Sequence, residues 1–335
     1  MPAERAEPAW AARALDHIFL ARPAALVPLW VFYFGGFGLA RAMTPAGPRG
    51  ASPFDLTPGA LLGFLALSAA LAGGYLLNQV SDRQSDRANR KLFLVSDGLV
   101  PLSHVWIELG ALWALAAVVS LWLPWSFRVA AALSMLLGVT YSLPPVHAKA
   151  KFPLDLIWNG IGFGALATAA GWSVARPLGI EVARPALCYA VAVAGIIAST
   201  TIPDREGDGA SSLRTTAVAL GERGASALAL ALVTVAAAVG VAAHDVPGAA
   251  GALLSTPLLV RAHRTGARRD RVAANQVAVA AFAVAMVARS AYPLALLVAA
   301  ALASRAYYRR RFDVSYPGPG PRGGSGGHAL GRLWR

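Results

Sequence analysis

Residues 57–86 read TPGALLGFLALSAALAGGYLLNQVSDRQSD, and their first charged side chain is Asp82. A helix that crosses a bilayer needs about 20 mostly apolar residues. The run from 57 to 79 is long enough for that, and it ends in a polar segment that begins near Asn78. This stretch therefore predicts a membrane helix that carries polar side chains at one end.

Similar apolar runs recur along the chain, and none shows the alternation of apolar and polar residues that marks a strand. Because backbone groups that face lipid must be satisfied within their own element, helices are the expected structure. The sequence therefore predicts an all-α, polytopic transmembrane bundle of about nine spans. The runs lie near 24–42, 57–79, 104–123, 127–143, 154–174, 185–202, 224–243, 247–262 and 272–307.

The last run has two interpretations. Arg289 and Pro293 interrupt it, so it forms either one long tilted helix or a hairpin of two crossings, which would make ten spans. The run is followed by arginines at 305 and 309–311. Basic clusters favour the cytoplasmic side of a membrane, and only the hairpin returns them to that side. We therefore favour the hairpin.

The composition agrees with a membrane protein. The 335 residues are 56% hydrophobic and only 14% charged, whereas about 25% of residues are charged in soluble domains. The net charge of +13 could suggest a nucleic-acid partner, but proteins of that class gather their cations on one face. Here most cations lie in short loops between apolar runs. No nucleic-acid partner is expected.

The loop charges predict the orientation of the bundle. Loops that follow the even-numbered spans are rich in cations, whereas the opposite loops carry few. The positive-inside rule therefore places the cation-rich loops and the N-terminus in the cytoplasm, in a multi-pass protein of the cell membrane. The cytoplasmic cations are Arg83, Arg87, Arg90, Lys91, Lys149, Lys151, Arg205, Arg214, Arg223, Arg261, Arg264, Arg268, Arg269 and Arg271.

Three regions follow from this topology. Residues 1–15 form a cytoplasmic N-terminal segment, and residues 16–311 form the transmembrane domain. Residues 312–335 are rich in Pro, Gly, Ser and Arg. A segment of that composition cannot bury enough apolar surface to fold, so a disordered tail is predicted.

Two polar segments, at the cytoplasmic ends of spans two and six, carry the expected chemistry. In the first, Asn78, Asp82 and Asp86 are each four residues apart. A continuing helix directs such residues to the same side. In the second segment, Asp204 and Asp208 repeat this spacing.

The two segments also match in register, because Arg83 and Arg205 each follow the corresponding aspartate. One D-x-x-x-D in a polar loop is usually only a solvated charge pattern. Two such motifs in matching register, each at the end of an apolar span, favour a functional site, because carboxylates near the bilayer are energetically costly. Mg²⁺ binds a few carboxylate oxygens and completes its shell with phosphate oxygens and water. The pattern therefore predicts a Mg²⁺-bound phosphorylated ligand between the two spans.

A third cytoplasmic loop supports this prediction. Residues 141–151 read YSLPPVHAKAK and follow span four. The two adjacent prolines favour an extended exit from the helix. Lys149 or Lys151 could then reach the phosphorylated ligand. Both lysines could equally be cytoplasmic anchors of the span.

From about Arg22 to the end of span eight, the chain resembles the UbiA superfamily of intramembrane prenyltransferases. The family's N-x-x-x-D-x-x-x-D motif falls on 78–86. Its D-x-x-x-D motif falls on 204–208, with a T-x-x-V-x-L-G stretch at 215–221. Its Y-S-x-P-P-x-x-x-K loop falls on 141–149.

This resemblance implies a helical bundle around a central cavity that opens sideways to lipid. It also implies Mg²⁺, a prenyl diphosphate donor and a lipophilic, usually aromatic, acceptor. The metal ligands would be Asn78, Asp82, Asp86, Asp204 and Asp208. The catalytic residues would be Asp82, Asp204, Lys149 and Tyr141, and Tyr141 would stabilise an allylic cation through its ring face. The substrate-binding residues would be Asn78, Arg22, Lys91, Lys151, Arg83 and Arg205.

The chain departs from the family in two places. Gln79 stands where many members carry Asp, and residues 89–100 read NRKLFLVSDGLV where an Arg-Pro pair and an S-G-x-I run are usual. Lys91 is the candidate replacement for the missing arginine. Since this loop is a candidate cover for the acceptor, a terpene cyclase or a carotenoid-elongating transferase is an alternative. A transporter is a remote alternative, because the carboxylates lie at the ends of spans and not at mid-membrane depth.

Overall fold

The computed structural model describes residues 9–44, 52–88 and 93–313. In these ranges the chain is mostly helical, and its only extended pairing is an isolated bridge between Lys151 and Arg214. The all-α prediction is therefore confirmed. The helices are α1 (Ala9–Leu20), α2 (Pro23–Ala42), α3 (Pro58–Ser81), α4 (Arg83–Ala88), α5 (Phe93–Ser96), α6 (Leu102–Ser120), α7 (Trp125–Ser142), α8 (Leu154–Asn159), α9 (Ala167–Ser173), α10 (Ile180–Thr200), α11 (Arg205–Ala210), α12 (Thr216–Ala242), α13 (Val246–Thr265), α14 (Arg268–Ala285) and α15 (Tyr292–Phe312).

Each predicted apolar run coincides with one of these helices or with a pair of them. The turn Gly160–Leu166, which is π-helical, joins α8 and α9 into one segment. Within the described ranges, six helical segments are long and apolar enough to cross a membrane by length and composition. They are Pro23–Ala42, Pro58–Ser81, Leu102–Ser120, Ile180–Ala210 (α10 together with the turn and the short helix α11 that follow it), Thr216–Ala242 and Arg268–Ala288 (α14 together with the turn that follows it).

Large apolar side chains cover much of the outer surface, as expected for a bundle whose solvent is lipid. At the turn between α6 and α7, Leu121, Trp122 and Trp125 are 61%, 69% and 74% exposed. Soluble proteins rarely expose a contiguous apolar patch of this kind to water. Tryptophans at the ends of spans are typical of the membrane interface, where their amphipathic rings sit at the level of the headgroups.

The last apolar run forms a hairpin. We define the acidic end of the bundle as the end that carries Asp82 and Asp204. α14 leaves this end, and at the opposite end the Ala291 N–H donates to the Pro53 carbonyl oxygen at 3.0 Å. α15 then returns, and its Arg311 Nε donates to Asp16 Oδ1 of α1 at 3.1 Å.

Small residues allow α2 and the α8–α9 segment to approach closely. A Cβ atom added to Gly171 would lie 1.8 Å from the Tyr33 carbonyl oxygen, and one added to Gly36 would lie 2.1 Å from the Thr168 carbonyl oxygen. Interfaces between membrane helices are commonly built this way, because glycine lets two backbones come into contact. The contact fixes one wall of the central cavity.

We expect Gly171→Ala to destabilise the bundle, because the new methyl group would meet backbone atoms that cannot rotate away. Overpacking of this kind costs about 1–3 kcal/mol and occasionally more. The matched control is Gly110→Ala on α6, where an added Cβ meets no atom within 4 Å. Thermal unfolding in detergent should show a lower midpoint for Gly171→Ala and an unchanged or slightly higher one for Gly110→Ala. Equal midpoints would contradict the described packing.

Candidate active site

A cavity of about 1340 Å³ lies inside the bundle and reaches the acidic end. Typical small-molecule sites measure about 300–1,000 Å³, so this cavity is large enough for an extended ligand or for two ligands. Apolar side chains line most of it. The polar and charged residues predicted from the sequence that line it are Arg22, Asn78, Asp82, Asp86, Tyr141, Lys149, Asp204 and Asp208.

The first carboxylate segment follows the end of α3. The Asp82 N–H donates to the Asn78 carbonyl oxygen at 2.9 Å, and the Asp86 N–H donates to the Asp82 carbonyl oxygen at 2.8 Å. Helical hydrogen bonding thus continues from α3 into α4, which keeps the three side chains on the cavity side. Asn78 Nδ2 also donates to Asp82 Oδ2 at 2.9 Å, and this bond orients the central carboxylate.

The second carboxylate segment does not continue a membrane helix. α10 ends at Thr200, and a tight 3₁₀ turn at Ile202–Asp204 precedes α11. Pro203 has no N–H group to donate within a helix, so a break is expected there. Asp208 lies on α11, and its Oδ2 accepts a hydrogen bond from Thr215 Oγ1 at 3.1 Å.

The two segments meet across the mouth of the cavity. α4 carries Asp86, α11 carries Asp208, and these two short helices are in contact. Asp82 and Asp204, one turn earlier in each segment, line the same cavity. The carboxylates of two distant parts of the chain therefore face one space.

Lys149 is the cation most closely associated with these carboxylates. It lies in the short 3₁₀ turn Ala148–Ala150 and is buried. Its Nζ forms an ion pair with Asp82 Oδ1 and donates to Ser81 Oγ at 2.7 Å. A buried ammonium group needs such partners because its desolvation is costly.

The loop that carries Lys149 is held by the beginning of α12. Asp155 Oδ2 accepts hydrogen bonds from Thr216 N at 2.7 Å and from Thr216 Oγ1 at 2.6 Å. Backbone bonds join Phe152 to Arg214 (2.9 Å) and Arg214 to Ala150 (3.0 Å). The loops after α7 and before α12 therefore form one unit beside both carboxylate segments.

Arg22 adds a second cation at the acidic end. Its backbone adopts a left-handed conformation (φ 55°) at the junction of α1 and α2. The guanidinium carbon lies 5.0 Å from the centre of the Tyr75 ring, a cation–π contact that orients the side chain beside the cavity. Left-handed backbone in a residue other than glycine often accompanies a functional constraint.

Other predicted substrate-binding residues lie elsewhere. Lys151 is exposed and outside the cavity lining, and its Nζ donates to the Pro145 carbonyl oxygen at 3.1 Å. Arg83 and Arg205 are also exposed, and neither lines the cavity. Lys91 lies outside the described residues. The structure therefore brings only part of the predicted cation set to the cavity.

The carboxylate oxygens at the cavity suit a Mg²⁺ ion only when a bound ligand completes the coordination shell of that ion. Among the described residues, no three His, Cys, Asp or Glu side chains are grouped closely enough to hold a metal ion. Mg²⁺ commonly uses one or two carboxylates and takes its remaining ligands from phosphate and water. Two separate carboxylate pairs that face one space match that requirement.

Two further polar atoms in the lining also indicate a polar ligand. Ser142 Oγ and Asn275 Oδ1 are buried, and neither has a hydrogen-bond partner within the part of the chain that the structure describes. Leaving such an atom unsatisfied costs about 1–3 kcal/mol. Sequence reasoning missed Asn275, because a single Asn in the last apolar run carries no spacing signal.

One histidine lies near the lysine loop. Burial, followed by the neighbouring ammonium of Lys149, lowers the pKa of His147 below its ordinary value. The imidazole is therefore neutral near pH 7, so it adds no positive charge to this loop. The cations that line the cavity are Lys149, Arg22 and, at the beginning of α14, Arg268.

A known protein family matches most of the chain. The model of the UbiA prenyltransferase family matches residues 29–284. The bacteriochlorophyll synthase 34 kDa chain of Chloroflexus aurantiacus is 27% identical over 217 residues, which make up 64% of this chain. The match spans 66% of the length of that curated relative.

Solved structures share the fold. A UbiA homologue from Archaeoglobus fulgidus, bound to GPP and Mg²⁺, superposes with a TM-score of 0.66 at 21% identity, covering 84% of this chain and 99% of its own. The ligand-free structure of a homologue from Aeropyrum pernix K1 gives a TM-score of 0.61 at 21% identity, with coverage of 84% and 98%. The observed bundle is thus the fold of these proteins.

Proposed function

Because the chain belongs to the UbiA prenyltransferase family, we propose that it transfers a prenyl group from a prenyl diphosphate to a lipophilic, aromatic acceptor within the membrane. The observation that carries this proposal is the meeting of two carboxylate segments and Lys149 at one end of an apolar cavity. A charged diphosphate fits the acidic end with its metal ions, and an isoprenoid chain fits the apolar remainder.

The residues that would hold Mg²⁺ are Asn78, Asp82, Asp86, Asp204 and Asp208. Their oxygens suit a hard cation, and the related Archaeoglobus protein was solved with GPP and Mg²⁺. When bound, the metal supplies positive charge that stabilises the departing diphosphate. The carboxylates of the chain would position the metal ion. The positive charge of the metal would in turn balance these carboxylates at the acidic end of the bundle.

Side chains that line the cavity would assist the remaining chemical steps. As the bond between C1 and the diphosphate oxygen breaks, both electrons leave with the diphosphate, and Lys149 and Arg22 stabilise the added charge. The ring of Tyr141 lines the cavity and faces the allylic cation, which such a ring stabilises by about 0.5–2 kcal/mol. A nucleophilic carbon of the acceptor then bonds to C1, and the acceptor loses a proton.

The apolar walls protect this cation from water. Phe163, Val193 and Phe282 line the cavity below the acidic end, and they offer no hydrogen-bonding group to a water molecule. Exclusion of water prevents hydrolysis of a reactive intermediate. Prenyl transfer to the acceptor is then favoured over release of a prenyl alcohol.

We infer ten membrane crossings, with the acidic end and the N-terminus in the cytoplasm. The α14–α15 hairpin returns the chain to the acidic end, where Arg311 pairs with Asp16. The loops rich in Lys and Arg lie at this same end, as the positive-inside rule requires. Cysteine accessibility in right-side-out vesicles tests the inference, and labelling of the acidic-end loops from outside would contradict it.

The function is tested by incubating purified protein and Mg²⁺ with prenyl diphosphates of one to four isoprene units. A membrane extract supplies acceptors, and mass spectrometry identifies the products. We expect a prenylated acceptor and free diphosphate, both abolished by a chelator. Diphosphate release from the donor alone, with a cyclic hydrocarbon product, would instead favour the terpene cyclase alternative. No reaction with any donor would contradict the proposal.

A further inference from the structure

One face of α14 forms a wall of the cavity. Arg268, Asn275, Val279 and Phe282 all line the cavity from this helix. Their spacing of seven, four and three residues places them on the same side of the helix. Along this face the side chains change from a cation at the mouth to an amide and then to apolar groups. Asn275 is therefore a polar group of the cavity that lies outside the motifs predicted from the sequence.

Asn275 lies just below the charged end of α14. Arg271 Nη2 forms an ion pair with Glu222 Oε2 of α12 at 2.9 Å, and Asn275 is four residues further along the helix. Four residues correspond to about 6 Å at a rise of about 1.5 Å per residue. Residues 277–288 contain no polar side chain. Asn275 and its neighbour Gln276 are thus the last hydrogen-bonding side chains before the deep, apolar part of α14.

The fold makes no use of the Asn275 carbonyl oxygen. This atom, Oδ1, is buried and has no hydrogen-bond partner among the described residues. By contrast, Gln79 is a buried amide of α3 whose Nε2 donates to the Leu20 carbonyl oxygen at 2.9 Å. A buried polar atom without a partner lowers the stability of a protein, and an apolar side chain of similar shape would avoid that cost. Asn275 therefore suits a partner that is not part of the chain.

The prenyl diphosphate donor does not supply that partner. Its one polar group is the diphosphate, which the proposed function assigns to the two carboxylate segments and to Lys149. The rest of the donor is a hydrocarbon, which has no group that donates a hydrogen bond. Apolar walls are available for it, including Phe163 and Leu297 of α15, a helix that packs on α2. A polar atom that reaches Asn275 must therefore belong to the second substrate or to water.

The unpartnered atom also indicates which group of the acceptor is bound. Because Oδ1 is a carbonyl oxygen, its partner must donate a hydrogen bond. A hydroxyl group on an aromatic ring can do so. A carboxylate can only accept hydrogen bonds, and a methyl ether cannot donate one, so neither would satisfy Oδ1. The amide therefore favours an acceptor with a free ring hydroxyl.

We propose that Asn275 binds the ring hydroxyl of the aromatic acceptor and positions the ring against C1 of the donor. This inference rests on the proposed function. It makes Asn275 a residue that determines acceptor specificity and that takes no part in binding the diphosphate. Substitutions at this position should therefore alter the use of the acceptor and leave the affinity for the donor unchanged.

Asn275→Leu tests the proposal, because leucine has a similar branched shape but no hydrogen-bonding atom. Purified protein, Mg²⁺ and a saturating prenyl diphosphate are mixed with increasing amounts of a total lipid extract of the native membranes, which is the acceptor probe. The amount of extract that gives half the maximal rate of product formation should rise about tenfold, the effect of removing one hydrogen bond to a ligand. The Kd of the matching thiodiphosphate, which resists cleavage, should stay the same.

Thermal unfolding separates this role from a structural one. Leucine removes an unsatisfied buried atom, so ligand-free Asn275→Leu should unfold in detergent at the same midpoint as the wild type or at a higher one. Thr234→Val is the matched control. The Thr234 hydroxyl donates to the Leu230 carbonyl oxygen of its own helix at 2.8 Å, and Thr234 does not line the cavity. This control should alter neither the use of the extract nor the affinity for the donor.

Methylation of the ring hydroxyls in the extract tests the chemical class of the acceptor. If Asn275 binds a free hydroxyl, the wild type should need about ten times more methylated extract than untreated extract. Asn275→Leu should show little difference between the two extracts, because its hydrogen bond is already absent. Equal use of both extracts by the wild type would overturn the assignment of the hydroxyl.

Three results would overturn the role of Asn275 while the proposed function stands. Equal half-maximal amounts of extract for the wild type and Asn275→Leu would mean that the amide holds only water. A lower thermal midpoint would mean that the side chain is structural, and a weaker affinity for the thiodiphosphate would place it in the donor site. If the wild type forms no prenylated product from the extract, the proposed function itself fails.

Discussion

Replacing Asp82 by Asn is expected to lower Mg²⁺-dependent diphosphate release by roughly 10²–10³-fold, the range seen when one preorganised electrostatic group is removed from an active site. Asp204→Asn should cause a loss of the same order. The two residues come from distant segments but line one cavity. If the two carboxylates hold the Mg²⁺ of one bound diphosphate, neither residue can replace the other.

The control for this prediction is Asp97→Asn. Asp97 is exposed and does not line the cavity. Its replacement should leave the rate of diphosphate release close to that of the wild type. Asp82 also pairs with the buried Lys149, and an unpaired buried charge can destabilise a protein by about 3–5 kcal/mol. Each variant must therefore also elute as a monodisperse peak from a sizing column in detergent, which shows that it is folded.

Lys149→Gln is expected to reduce kcat by about 10²-fold, because the departing diphosphate loses a cation held in a water-excluded site. Lys151→Gln should cost much less. The two lysines are separated by one residue, yet Lys149 is buried beside Asp82 whereas Lys151 points to solvent and donates to a backbone oxygen. Rates measured at saturating donor compare the chemical step in the two variants.

The outcome of this comparison separates two roles for the lysine loop. A large loss in Lys149→Gln alone supports direct stabilisation of the leaving group. Equal and small losses in both variants would mean that these lysines only anchor the span at the cytoplasmic surface. Equal and large losses would mean that Lys151 reaches the ligand by a movement of the loop.

The sequence was sufficient to predict the helical bundle, because apolar runs of spanning length have few other possible structures in lipid. It also identified the pairing of the two carboxylate segments, since their spacing and their positions at the ends of spans could be compared directly. The helical geometry of the second segment was less predictable. Pro203 ends the membrane helix, so Asp204 and Asp208 lie on a turn and a separate short helix.

Long-range contacts account for what the sequence could not predict. Nothing in the local sequence distinguishes Lys149 from Lys151, because the difference arises from packing against Ser81 and Asp82 of another helix. The bond between Asp155 and Thr216 joins residues 61 positions apart. In the same way, the contribution of α15 to the cavity depends on how the hairpin packs on α2.

If two distant segments hold one Mg²⁺-dependent diphosphate, metal binding should need both of them. Mn²⁺ favours the same oxygen ligands as Mg²⁺ and is paramagnetic, so its electron paramagnetic resonance can be recorded with a prenyl thiodiphosphate that resists cleavage. We expect tight Mn²⁺ binding that requires the thiodiphosphate, shows coupling to its phosphorus nuclei, and is lost in Asp82→Asn and in Asp204→Asn separately. Wild-type binding and coupling in either variant would show that its segment does not hold the diphosphate.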